Sequence, residues 1–293
     1  MNAVDTAISE VQGVVGVAAK HLETGVEIRH NPDMVFFTAS TFKVPILVEL
    51  YRQIDQGKID PGERIEFTDD MRSLGSGVLK QMSVGLQPTI RDLAMLMIII
   101  SDNTATDILY NMVGRDNLNN AMCELGLAKT QIPMNTRELL YSIVGLDTND
   151  PTHTFQMASD LLSLQKLLMD SDGYSEEKSD VSSPDDMSRL LEMIYRGEVL
   201  SRSSREGALD IMKRQQLNNV IPLLLPSGTE VAHKTGSYPT VRCDVGIVYS
   251  PSGPYTVAIM AKQLTGNVLS IDLSLAAVSK AIYDNFTLPL QVG

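Results

Sequence analysis

The stretch VVGVAAKHLETGVEIR, residues 14–29, decides the architecture. Val14 to His21 is rich in strand formers, Thr24-Gly25 supplies a turn, and Val26 to Arg29 reads as a second strand. The chain therefore opens on a hairpin. Strand patterning returns only after Gly228, in Thr229 to Thr235, Cys243 to Tyr249 and Tyr255 to Lys262, with Pro251-Ser252-Gly253-Pro254 as punctuation. Between these ends the pattern is helical. From Ser40 to Gln56, Val44, Leu47, Val48 and Tyr51 share one face. Thr89–Ile100, Thr104–Val113, Thr154–Met169 and Pro184–Arg196 each begin near a capping residue, and Ser270–Asn285 closes the chain as a helix. The expectation is an α/β fold of the α+β type. One antiparallel sheet forms from the N- and C-terminal strands (1–37 and 200–293), and residues 38–199 form a central helical lobe.

Composition narrows the function. The 293 residues are 43% hydrophobic, enough for a sizeable core, and the formal net charge of −12 argues against nucleic acid or an anionic membrane as partner. The longest apolar run, Leu93 to Ile100, is far too short for a membrane span. Cys123 and Cys243 lie far apart, so no bridge is expected, and the four histidines show no metal-ligand spacing. No metal or cofactor is implied. Met1 to Glu10 reads as the start of an amphipathic helix rather than a signal peptide. The expected location is the cytoplasm, or beyond it as the mature form of an exported protein. Asp170 to Pro184 is the one stretch poor in apolar residues, and it is expected to be exposed and mobile.

Three short motifs carry chemistry. In Ser40-Thr41-Phe42-Lys43, at a helix start, positions i and i+3 share a face, so the lysine amine can reach the serine hydroxyl and take its proton. Helix N-terminal N–H groups there also favour a developing oxyanion. Taken alone, a capping serine explains the same string. Ser101-Asp102-Asn103 sits between two helical runs, where Ser101 can pass a proton to a leaving nitrogen and Asn103 can hold a carbonyl; a turn with an N-cap is the plain alternative. Lys234-Thr235-Gly236 ends a strand, with a cation and a hydroxyl to bind a carboxylate and a glycine that admits a ligand close to the backbone. Any one of these is unremarkable. Their order, each in a fitting context, decides the reading.

The trio resembles that of class A β-lactamases and penicillin-binding proteins, whose SxxK, SDN and KTG motifs stand in this order. Ser40 and Ser101 are 61 residues apart, near the family's separation of roughly 60. Phe37-Thr38-Ala39, the run Thr89 to Thr106 and Ser182 to Met187 are also similar to family segments. The resemblance implies a β-lactamase/transpeptidase-like fold with 1–293 as a single catalytic domain. It implies Ser40 as nucleophile, with Lys43 and Ser101 as proton carriers. The N–H groups of Ser40 and Ser237 would form the oxyanion hole. Asn103, Lys234, Thr235, Gly236 and Arg242 would bind substrate.

One departure stands out. The Arg-x-Glu-x-x-Leu-Asn omega-loop signature, whose glutamate activates the deacylating water, is absent. Its nearest match is Arg137-Glu138-Leu139-Leu140, which makes Glu138 the candidate base. The 133 residues from Ser101 to Lys234 exceed the family's need by roughly 30, which places an insertion at about 136–180. Glu176 and Glu177 within it are expected to face solvent. The expected activity is hydrolysis of the β-lactam amide through an acyl-enzyme at Ser40. The alternative is a penicillin-binding protein, a D-alanyl-D-alanine peptidase or an esterase of the same fold, with slow or absent β-lactam deacylation. The expected partner is a small β-lactam or a D-alanyl-type peptide, and the expected assembly a monomer or homodimer.

Overall fold

A computed structural model describes residues 2–287. In chain order the elements are α1 (Ala3–Ser9), β1 (Val14–His21), β2 (Glu27–His30), a short β3 (Phe36–Phe37), α2 (Lys43–Asp55), α3 (Ile90–Ile99), α4 (Asn103–Val113), α5 (Arg115–Glu124), α6 (Thr136–Ser142), α7 (Phe155–Ser163), a short β4 (Val181–Ser182), α8 (Pro184–Arg196), α9 (Arg202–Lys213), β5 (Glu230–Tyr238), β6 (Val241–Ser250), β7 (Gly253–Lys262) and α10 (Val268–Thr287). The chain divides into two compact units. Among the described residues one takes 2–41, 182–198 and 212–287, the other 42–181 and 199–211.

The first unit is built on an antiparallel sheet in the order β2-β1-β7-β6-β5. The two chain ends meet at β1 and β7, which pair from Val14 opposite Lys262 to His21 opposite Tyr255. The expected union of N- and C-terminal strands is thus met, with β5 at an edge. Alternation along β1 sends Val15, Val17 and Ala19 into a core with Val4 and Ile8 of α1 and Leu275, Val278 and Ile282 of α10. On the opposite face, a methyl added to Gly16 would lie 2.5 Å from Phe36 and 2.7 Å from Pro184, at the start of α8. With both faces covered, β1 is buried almost throughout, which is why it reads as a continuous apolar run.

Helix α8 is a correction. It was expected in the helical lobe, but its apolar face, with Met187, Leu190, Leu191 and Ile194 buried, packs on β1 and β7 of the sheet unit. Local periodicity identified the helix; the choice of partner is a long-range matter. Residues 200–211 move in the opposite direction, into the helical unit.

That second unit centres on α2, in which ten residues, Val44, Leu47 and Leu50 among them, are buried. A helix apolar nearly all round belongs inside a domain, and α3, α4 and α5 surround it. Thr89 and Asp92 close a capping box on α3, worth about 1 kcal/mol. Helix α7 ends at Ser163, short of the expected Met169, where Gln165 turns to a left-handed φ of 52°. The stretch 170–184 also differs from expectation. Glu176 and Glu177 are exposed as read, but Gly173 and residues 179–184 are buried, and Asp180 accepts the Met134 N–H at 3.1 Å. Cys123 and Cys243 are both free thiols. Among the described residues no helix is long and apolar enough to cross a membrane.

The contact at Gly16 yields a test. Gly16→Ala is expected to cost about 1–3 kcal/mol through overpacking against Phe36 and Pro184. It would be read as a lower urea midpoint at unchanged slope; an unmoved midpoint would mean those side chains yield freely.

Candidate active site

Within the helical unit the structure gathers Lys43, Ser101 and Asn103. Lys43 opens α2 and is fully buried. Its Nζ lies 2.9 Å from both the carbonyl oxygen and Oγ of Ser101, and 2.8 Å from Oδ1 of Asn103. The Ser101 carbonyl and Asn103 Oδ1 accept protons from the amine, and the Ser101 hydroxyl beside it can donate or accept. Residues 58 and 60 positions away in sequence thus meet at a buried amine.

The turn that carries Ser101 and Asn103 is held by its own side chains. Helix α3 ends at Ile99, and Ser101 adopts a left-handed φ of 57°, a conformation few non-glycine residues take. The Asp102 N–H returns to the Leu96 carbonyl at 3.0 Å. Fully buried Asp102 caps α4 by accepting from Ala105 N at 3.0 Å, while its second oxygen accepts from Val78 N at 2.6 Å and Leu79 N at 2.8 Å. The N-cap read from sequence is correct, and its carboxylate also anchors a loop. Asn103 donates from Nδ2 to the Leu74 carbonyl at 2.7 Å, which orients its amide with Oδ1 toward Lys43.

Within the sheet unit lie Ser40, Lys234, Thr235, Gly236, Ser237 and Arg242. Ser40 sits in a 3-10 turn, Ala39–Phe42, that runs directly into α2. Ala39 before it has a φ of 43°, a second non-glycine residue held in the left-handed region. The Ser40 side chain is partly exposed and has no hydrogen-bond partner among the described residues. Strand β5 passes close to it: a methyl on Gly236 would lie 2.6 Å from the Thr38 carbonyl and 2.9 Å from Ser40 N. Only glycine fits there. Ser237, the next residue, is exposed.

Two buried basic residues lie on neighbouring strands, Lys234 on β5 and Arg242 on β6. Lys234 is fully buried and donates to the Thr235 carbonyl at 2.7 Å. Desolvation lowers its pKa to about 7, opposed only in part by the charge of Asp244. Arg242 instead pairs through Nε with Asp272 at 2.9 Å, and its Nη1 reaches the Tyr238 and Val241 carbonyls at 3.3 Å. Its Nη2 has no partner among the described residues. Asn219 donates to the other Asp272 oxygen at 2.7 Å. His233 is a packed strand residue, as read, bonded to Asp244 at 2.8 Å and Asn218 at 3.0 Å.

Glu138 stands apart in what it does. It closes a capping box on α6, accepting from Asn135 N at 2.8 Å, and both its oxygens receive Arg115 Nη2, at 2.6 and 2.7 Å. Sequence reasoning also passed over Ser76. Its hydroxyl donates to the Ser101 carbonyl at 2.6 Å and approaches Asn103 Oδ1 at 3.2 Å, so it shares two acceptors with Lys43. The only signal for it was the flanking glycines in Gly75-Ser76-Gly77.

Known proteins match this chain along nearly its whole length. The family model described as the beta-lactamase enzyme family matches residues 1–286. The chain belongs to that family. A β-lactamase of Streptomyces cellulosae is 25% identical over 248 residues, covering 83% of this chain and 70% of that protein. Among solved structures, a β-lactamase from Sphaerobacter thermophilus superposes with a TM-score of 0.80 at 27% identity, covering 98% of this chain and 96% of the other. The protein PBP-A gives 0.79 at 28% identity, with 97% and 95% covered. The β-lactamase-type fold and the hydrolase class read from the motif trio are both met.

The Glu138 contacts yield a prediction. Because both oxygens serve Arg115 and the α6 cap, Glu138→Gln is expected to leave acyl-enzyme turnover within about twofold while lowering stability by about 1 kcal/mol. Stopped-flow deacylation rates would check it; a drop of a hundredfold or more would restore Glu138 as the base.

Proposed function

We propose that Ser40 attacks the β-lactam amide carbonyl and forms an acyl-enzyme that water then releases. The observation that carries this reading is the Lys43–Ser101–Asn103 cluster, a buried amine held by the side chain and backbone of the very residues the motif trio names. Ser40 and Lys43 stand three residues apart on one continuous helical stretch. In this reading the Lys43 amine takes the Ser40 proton as the C–O bond forms. The Ser101 hydroxyl, 2.9 Å from that amine, delivers a proton to the nitrogen leaving the opened ring. The N–H groups of Ser40 and Ser237 stabilise the oxyanion, consistent with the close passage of Gly236 beside Ser40 N.

Substrate recognition follows from the cations. A β-lactam carboxylate is met by Lys234, the Thr235 hydroxyl and the open Nη2 of Arg242, while the second Asn103 amide proton holds the substrate carbonyl. Lys234, its pKa lowered to about 7 by burial, loses its charge above that value. A D-alanyl-type peptide carries the same carboxylate and amide and is a second substrate class. A penicillin-binding role with a persistent acyl-enzyme has one observation in its favour: Glu138 is committed to Arg115 and Asn135. A variant of PBP-A has been solved as an acyl-enzyme with penicillin G.

Mass spectrometry alongside a chromogenic cephalosporin tests the reading. Sustained colour with a transient adduct on Ser40 supports a β-lactamase, and one equivalent of colour with a lasting adduct supports a penicillin-binding protein. Neither colour nor adduct overturns both. Ser40→Ala is expected to remove the adduct and lower turnover at least about a thousandfold with the fold intact. For an anionic substrate, kcat/KM is expected to fall as pH rises through about 7, because Lys234 is charged below that value and neutral above it. A profile flat from pH 6 to 9 would remove Lys234 charge from recognition.

A further inference from the structure

The loop carrying Ser76 has features that packing alone does not explain. Gly75 and Gly77 have φ of 84° and 101°, and each lies where no side chain fits. A methyl on Gly75 would meet Asn103 Nδ2 at 2.5 Å, and one on Gly77 would meet Asp102 at 2.3 Å. The backbone of this tripeptide therefore rests directly on Asp102 and Asn103, with Ser76 between two residues that must be glycine. The segment is held on both sides. Before it, Ser73 N donates to Thr104 Oγ1 at 3.0 Å, and Ser73 Oγ donates to Asp107. After it, Asp102 holds Val78 and Leu79 by their N–H groups.

Ser76 itself is exposed, so its side chain contributes little by burial. What it contributes is a hydroxyl. That hydroxyl reaches the Ser101 carbonyl and Asn103 Oδ1, the same two oxygens that Lys43 Nζ contacts at 2.9 and 2.8 Å. The Ser76 carbonyl also accepts the Asn103 N–H at 3.0 Å, so one residue grips Asn103 by main chain and side chain together.

We propose that Ser76 is a positioning residue for acylation: its one hydroxyl proton, given chiefly to the Ser101 carbonyl at 2.6 Å and shared with Asn103 Oδ1 at 3.2 Å, fixes the oxygens that hold Lys43 and aims the Asn103 amide at substrate. This rests on the reading of Ser40 as nucleophile and Lys43 as its base. The contacts of the Ser76 hydroxyl are with Ser101 and Asn103. It acts by setting how two shared acceptors are presented, and a misplacement of a few tenths of an ångström there is passed to the amine and the amide at once.

The test compares the parent with Ser76→Ala and Ser76→Thr, following adduct formation on Ser40 with benzylpenicillin by rapid-quench mass spectrometry and the thermal midpoint in parallel. The loop keeps its anchors at Asp102 and Ser73 in both variants. Ser76→Ala is expected to slow acylation about tenfold, the effect of one well-placed hydrogen bond. Substrate affinity before acylation should stay within about twofold, the midpoint should not move, and Ser76→Thr should recover most of the rate by keeping the hydroxyl. Acylation by Ser76→Ala at the parental rate overturns the proposal and leaves Ser40 as nucleophile untouched. A slowed rate with a matching fall in midpoint, or one that Ser76→Thr fails to recover, also overturns it. No adduct on the parent itself defeats the Ser40 reading, and the proposal falls with it.

Discussion

Burying an amine is the constraint on which the helical unit is organised. A lysine with no solvent contact loses the hydration of its charge, a cost of several kcal/mol unless nearby dipoles replace it. Lys43 finds those dipoles in Ser101 and Asn103. Their placement explains the surrounding irregularities. Ser101 takes a left-handed conformation because the carbonyl and hydroxyl must both face one amine. Asp102 is buried so that its carboxylate can cap α4 and hold the loop at Val78 and Leu79. The same loop supplies the Leu74 carbonyl that orients Asn103. A turn that looks loose in sequence is ordered by these bonds around one amine.

The sheet unit treats its two cations differently, and chemistry follows from the difference. Arg242 has a carboxylate partner in Asp272, itself steadied by Asn219, so its charge is compensated and one nitrogen remains open. Lys234 has a carbonyl at hydrogen-bond distance and Asp244 only as a through-space charge, so burial prevails and its pKa falls. Asp244 spends its own oxygens on His233 and on Ile221 N. Neighbouring asparagines, 218 and 219, thus tie one connecting segment to both networks. Paired strands that carry a carboxylate-compensated arginine and a lysine of lowered pKa can bind an anion at neutral pH without a fixed excess of buried charge.

Much of the fold was legible because it is written in local patterns. The strands β1, β6 and β7, and helices α3, α4, α8 and α10, fall within a few residues of where periodicity and caps place them. What escaped was short or compositionally polar. Helix α5 (RDNLNNAMCE) buries only Leu118, Ala121 and Met122. Helix α6 has seven residues, and α9 carries a mid-helix glycine, Gly207, because a side chain there would strike Tyr51. Of the candidate site residues, Lys43, Ser101 and Asn103 were legible by motif. Glu138 was selected by resemblance to a glutamate motif. Its i and i+3 relation to Asn135, a capping box visible in the same string, marked the role the structure gives it.

The sequence by itself determined the candidate site residues: which serine, which lysines, which turn and which strand to consider, because spacing on a helix or strand is a local property. It also determined that the two chain ends build the sheet, since strand patterning occurs nowhere else at comparable length. Tertiary structure alone decided which oxygens surround Lys43, that Glu138 belongs to Arg115, that α8 joins the sheet, and that Ser76 shares acceptors with the amine. Each of these is a meeting of residues tens of positions apart. Such a meeting depends on how whole elements pack, and packing energy is spread over many side chains rather than written in any one stretch.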